Sequence, residues 1–173
     1  MSSDVSPRRA RAKEIGVDVE FLVVDALGPV RIADESHAFY DAVTTDVLAP
    51  DTVAGDVPIR FGVPLVEAGI EIETKSAKRR TSNGGGQTIR GRWLFKGCDD
   101  GQHAALLDAN AYYALSVYDD VDGDRELLAV AVVPASIVDE LLEGSWYSID
   151  RDEGTLARLS WSRIFDSLGG EER

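Results

Sequence analysis

The chain is short of the residues that most often announce a chemistry. One cysteine (Cys98) in 173 residues rules out an internal disulfide and a cysteine-based zinc cluster. There are two histidines, His37 and His103, and a lone histidine such as His37 before an aromatic strand reads as a packed or surface residue sooner than as a ligand. The longest apolar run, Leu127 to Pro134, falls far short of a membrane span, and the start Met1-Ser2-Ser3-Asp4 carries no secretory signal. A cytoplasmic location follows most simply. Lysine is scarce as well: only Lys13, Lys75, Lys78 and Lys96 among 18 basic residues, against 31 acidic ones. The resulting net charge of −13 argues at first against a polyanionic partner.

What is present departs from that balance in one place. From Lys75 to Lys96 there are seven basic side chains (Lys75, Lys78, Arg79, Arg80, Arg90, Arg92 and Lys96) and no acid. Just before and overlapping this window, Gly69-Ile70-Glu71-Ile72-Glu73-Thr74-Lys75-Ser76-Ala77 has the alternation of a strand. Ile70, Ile72 and Thr74 would point one way, while Glu71, Glu73 and Lys75 share the other face. Two carboxylates and an ammonium on one face suit a divalent ion bound to a phosphate. They suit equally a half-buried strand with a salt-bridged outer face.

At 44% hydrophobic, the chain has the size and composition of one globular domain, 1–173. Its pattern predicts a basic helix from Ser6 to Ile15, with Pro7 in its first turn and Gly16 as its stop. A strand from Val17 to Ala26 and a second from Ser36 to Val47 follow. Three of the six prolines (Pro50, Pro58, Pro64) make 50–69 an irregular excursion. Beyond the central strand come a cationic flexible loop over 79–87, a strand over 89–95 and a helix over 102–110, capped by Asp99-Asp100 and ending at Asn110. Strands over 112–118 and 127–133 are joined by the acidic turn 119–124, better read as a solvated hairpin than as a calcium loop. A helix opened by Ser136 and stopped at Gly144 precedes an aromatic and arginine-rich tail. Trp146, Trp161 and Phe165 there read as lids on the core.

Helix, strands, helix and strand in this order, with an acid on the second strand and Glu-x-Lys on the third, resemble the restriction-endonuclease-like nucleases, the PD-(D/E)xK superfamily. The resemblance implies an α/β (α+β) fold with a mixed central sheet flanked by helices, its core at roughly 8–133. Glu73-Thr74-Lys75-Ser76 is similar to the closing part of that motif, and Asp41 in Phe39-Tyr40-Asp41-Ala42-Val43 to the upstream acid, with Asp46, Asp56 and Glu67 as alternatives. Several branches carry a glutamine on the following helix, matched here by Gln102, and an acid on the first helix, for which Glu14 is the candidate. By this likeness Asp41 and Glu73 would bind Mg2+ or Mn2+, Lys75 would orient the attacking water and Gln102 would assist it. Glu71 is a third ligand or a solvated acid, and His103 a packed or surface residue or else a further phosphate contact. Lys78, Arg79, Arg80, Arg90, Arg92 and Lys96 would hold the backbone of DNA by charge. Many members are dimers, so a homodimer is admitted. In composition the acidic, lysine-poor chain resembles proteins of salt-loving archaea. The expected activity is a metal-dependent deoxyribonuclease; the alternatives are a silent nucleic-acid-binding module of the same fold or an acidic protein-interaction domain.

Overall fold

The structure is a computed structural model that describes residues 7–34, 39–53, 56–149 and 154–168. Its first element corrects the pattern reading. Helix α1 runs unbroken from Pro7 to Leu27, through Gly16, and no strand occupies 17–26. Val19, Val23, Ala26 and Leu27 recur at helical spacing and are all buried, whereas Val17, Phe21 and Leu22 are exposed. The short Val-Asp-Val-Glu-Phe alternation imitates a strand. The burial that stabilises the segment follows the 3.6-residue period instead. The helix stops at Gly28, whose φ of +80° is a conformation open to glycine.

After α1 come β1 (Val30–Ile32), β2 (Ala42–Thr44) and β3 (Ile59–Phe61), followed by the long strand β4 (Glu71–Lys78). The second strand is thus shorter than 36–47, and His37 lies outside the described residues. The excursion between β2 and β4 is irregular as expected, except that β3 within it joins the far edge of the sheet. The expected flexible loop after β4 is a hairpin, β5 (Arg80–Ser82) and β6 (Thr88–Arg90). Next are β7 (Arg92–Lys96), α2 (Gln102–Asp108), β8 (Tyr112–Val121), β9 (Asp124–Pro134) and α3 (Ala135–Leu142). The chain continues through β10 (Tyr147–Ser148) and β11 (Thr155–Ser160) to a 3-10 turn at Trp161–Arg163.

Six strands form one mixed sheet in the order β1-β2-β4-β8-β9-β3. The β4–β8 pair is parallel, with α2 in the crossover, and β8–β9 is an antiparallel hairpin; of the acidic stretch 119–124 only Asp122-Gly123 makes the turn, while Asp119 and Asp120 lie in β8 and Asp124 opens β9. One face of the sheet packs on α1 through Ile72, Ala114, Val130 and Val132. The other packs on α2, α3 and the small sheet β10-β11-β7 through Tyr113, Leu115, Trp93, Phe95 and Trp161. Trp161 and Phe165 are buried at 1% and 2% exposure, which makes the C-terminal segment part of this core. With both faces covered, β4 does not present a solvated side: Glu73 is 4% exposed. The architecture is a mixed α+β sheet with three helices, a restriction-endonuclease-like fold. No helix of the described residues is long and apolar enough to cross a membrane.

Candidate active site

The site forms where β2 is too short for its neighbour. β2 pairs with β4 only at Ala42↔Ile72 and Val43↔Glu71, so the β4 edge from Thr74 onward lacks a partner strand on that side. Asp41, immediately before β2, fills the first vacancy with its side chain. Its Oδ2 accepts the Thr74 backbone N–H at 2.9 Å and the Thr74 hydroxyl at 2.6 Å. Both bonds fall on one oxygen, which fixes the carboxylate and leaves Oδ1 as its second acceptor. Thr74 is thus what holds the upstream acid against the Glu-x-Lys strand.

On the opposite face of β4, three side chains close a triangle. Lys75 Nζ donates to Glu73 Oε1 and, at 2.9 Å, to Gln102 Oε1, while Gln102 Nε2 donates to Glu73 Oε1 at 2.8 Å and to the Phe39 carbonyl at 3.2 Å. Gln102 reaches them because α2 begins against the end of β7. A Cβ on Gly97 would lie 2.3 Å from the Gly101 Cα, an approach only glycines allow. Gly101 also precedes α2 with no side-chain cap, so the expected Asp99-Asp100 cap is not used.

Glu73 spends only one oxygen in this triangle. Its Oε2 is buried and has no hydrogen-bond partner among the described residues. Burial pushes the Glu73 carboxyl up to about 7, Lys75 pulls against that, and Asp41 adds to it. Glu20 of α1 is likewise pushed up to about 7, by burial and then by the charge of Asp41. It lines a cleft of about 550 Å³ together with Lys13, Gly16, Asp41, Thr74, Lys75, Ser76 and Lys96. Glu20 is a site acid that sequence reasoning missed, because its segment was read as a strand. At helical spacing it lies on the same side of α1 as Val19 and Val23. Glu14, the expected acid of this helix, is exposed and not among the residues that line the cleft.

The other expected site residues divide. Glu71 is half-buried, with Oε2 also lacking a partner among the described residues, so it is not a solvated acid. Asp46, Asp56 and Glu67 are exposed, and Asp41 is the acid that reaches β4. His103 does not face the groove. It is fully buried, with Nδ1 2.8 Å from the Tyr113 hydroxyl and Nε2 3.1 Å from Asp139, and burial holds its pKa below the usual histidine range. Lys78 and Arg79 are engaged by the acidic hairpin, with Asp120 and Asp119 at 2.6 Å each. Arg90 lies over the Trp161 ring at 5.3 Å and faces Arg80 across the β5–β6 hairpin. Arg92 is exposed, and Lys96 is at the cleft.

Among the described residues, no group of three or more His, Cys, Asp or Glu side chains is gathered to hold a metal. The residues present nevertheless fit a hard divalent ion of the Mg2+ type. Such an ion commonly takes one or two carboxylates and completes its shell with water and phosphate oxygens. Glu73 Oε2 is a buried carboxylate oxygen with no donor to it among the described residues, and the Asp41 carboxylate lies within hydrogen-bonding reach of Glu73, so the two acids face each other as a cation's ligands would.

An acid anchored at the open edge of a short strand, a buried Glu-x-Lys and a supporting glutamine together define the restriction-endonuclease-like class of nuclease folds. The chain belongs to the PD-(D/E)XK nuclease superfamily: the model of its nuclease superfamily domain matches residues 6–166. No curated protein and no solved structure matches the chain significantly. Nucleases of this superfamily generally use divalent metals and act on nucleic acid.

Proposed function

We propose that the protein is a metal-dependent nuclease that hydrolyses DNA phosphodiester bonds, with Asp41, Glu73 and Lys75 at the reacting phosphate. The observation that carries this reading is the orphaned Glu73 Oε2, buried beside Asp41 while Lys75 and Gln102 occupy Oε1. Asp41 and Glu73 would hold Mg2+ or Mn2+, which when bound lowers the pKa of a water and neutralises charge on the phosphate. Lys75 spends two of its three donors on Glu73 and Gln102, leaving the third for the attacking water or a phosphate oxygen. Gln102 keeps that ammonium aimed. Glu20, with a carboxyl that titrates near neutrality, can take the proton the water gives up.

The exposed β5–β6 hairpin supports a polyanionic substrate. It places Arg80 and Arg90 at paired positions, basic side chains of the kind that lie along a phosphate backbone. The test is cleavage of labelled duplex, single-stranded and branched DNA at high salt with Mg2+ or Mn2+. Metal-dependent cutting that Glu73→Gln and Lys75→Ala each reduce by about 100-fold or more is the expected result, in the range of an electrostatic group lost from a catalytic site. DNA binding without cutting, unchanged in both variants, would replace the enzyme with a silent binding module of the same fold.

A further inference from the structure

His103 is a buried titratable group that the reaction above does not use. It sits among the rings of Phe95, Tyr113 and Trp146, at centroid distances of 6.4, 5.8 and 5.3 Å. An apolar side chain would fill such a place without the cost of taking an imidazole out of water. What the imidazole adds is direction. Burial favours its neutral form, and the Asp139 carboxylate can only accept, so Nε2 carries the hydrogen and donates to it. Nδ1 is then an acceptor, and the Tyr113 hydroxyl donates to it. The row ties three elements together, since Tyr113 belongs to β8, His103 to α2 and Asp139 to α3.

This row ends against the site from two sides. His103 directly follows Gln102, in the first turn of a helix of seven residues whose buried side chains are His103 and Leu106. Tyr113 lies beside Glu73 in the parallel register of β4 and β8, so both side chains stand on one face of the sheet. No side chain caps the start of α2. Apolar packing of Leu106 keeps the helix on the sheet but does little against rotation or sliding, whereas two hydrogen bonds at opposite corners of one ring oppose both. Such a rotation would carry Gln102 away from the Lys75 ammonium and Glu73 Oε1.

We infer that His103 is a positioning residue: held between the Tyr113 hydroxyl and Asp139, it fixes the first turn of α2 and so keeps Gln102 on Glu73 and Lys75. Its effect on the rate rests on the nuclease reading above. Its effect on the Gln102 side chain does not.

The test follows Gln102 and the reaction separately, in the full-length protein and in four variants. Tyr113→Phe deletes the hydroxyl and keeps the ring. Asp139→Ala removes the acceptor at a half-exposed position, and Asp139→Asn keeps an acceptor oxygen there. Val130→Ala opens space in the core on the α1 face of the sheet and controls for lost stability alone. Both hydrogens of the Gln102 side-chain amide are donated, to Glu73 and to the Phe39 carbonyl. In a nitrogen–proton correlation spectrum this pair of signals, identified by its loss in Gln102→Ala, should therefore stand apart from those of exposed amides. It should move toward them in Tyr113→Phe and Asp139→Ala and stay in place in Asp139→Asn and Val130→Ala. In DNA cleavage with Mg2+, Tyr113→Phe and Asp139→Ala should lower kcat about tenfold or more with KM unchanged, as expected of a misplaced catalytic group. Tyr113→Phe added to Gln102→Ala should slow the reaction no further, because the two changes act through one link. Gln102 signals unmoved in Tyr113→Phe and Asp139→Ala, losses that multiply in the double variant, or an equal loss in Val130→Ala would overturn the inference and leave the nuclease reading standing. Displaced Gln102 signals in a protein that cuts no form of DNA would overturn the nuclease reading and uphold the link from His103 to Gln102.

Discussion

At Glu73, two demands conflict within one carboxylate. Oε1 is held by Lys75 and Gln102, while Oε2 is buried without a partner, a state that ordinarily costs about 1–3 kcal/mol. The raised pKa follows from this: a proton is the simplest relief for a buried carboxylate. Because the folded value, about 7, lies above the ordinary glutamate value of 4.5, the stabilisation belongs to the protonated form. It is fully present below pH 4.5 and is lost as pH rises through about 7. A divalent ion must displace that proton. Calorimetric titration with Mg2+ or Mn2+ between pH 5.5 and 8.5 should therefore show affinity rising about tenfold per pH unit for each proton released, then levelling above about 7. Affinity that does not change over this range would remove Glu73 from the ion's ligands. Glu73→Gln should melt no lower than the parent at pH 8 without metal, and should lose the upward shift in melting temperature that added metal gives the parent. Thr74 makes a different contribution. Thr74→Val removes the hydroxyl on Asp41 Oδ2 but leaves the backbone N–H, so the expected loss is about 1 kcal/mol of stability with a larger fall in activity. Thr74→Ser should restore most of both, and a serine variant as poor as the valine would mean that packing, not the hydroxyl, matters there.

Among the elements, the central strand, β7 to β9 and the second and third helices were legible in the sequence; the first helix was legible only as far as Gly16, and β1, β3, the β5–β6 hairpin and β11 were not. Glu71–Lys78 shows its period of two, and Gln102 opens α2 where expected. In α1 apolar residues lie on the exposed side as well, at Val17, Phe21 and Leu22, which blurs the stripe that marks a helix. That misreading of 17–26 concealed Glu20, which enters the cleft only at helical spacing. Contacts between distant elements left no local trace either. Nothing adjacent to Lys78 or Arg79 shows that the β8–β9 hairpin supplies Asp120 and Asp119 to them. If these acids compete with phosphate for the same cations, D119N/D120N should tighten DNA binding and steepen its dependence on salt by about one to two contacts. An unchanged slope would show that DNA does not reach Lys78 and Arg79.

Over the whole molecule, a net charge of −13 sets the terms of stability. Like charges repel in the compact state, and salt screens them over distances of about 10 Å at 0.1 M. The melting temperature should rise as NaCl is raised from about 0.05 M to 1 M, whereas DNA affinity should fall over the same range. A melting temperature that fell instead would mean that ion pairs such as Lys78–Asp120 outweigh the general repulsion.

The far edge of the main sheet has a consequence for handling and for folding. There β9 runs Leu-Leu-Ala-Val-Ala-Val-Val without a charge, and only the three residues of β3, reached through a long proline-bearing excursion, cover its outer edge. Ile59 pairs with Val130 from far away in the chain, so this cover closes late. Until it does, β9 is a bare strand able to recruit another copy of itself.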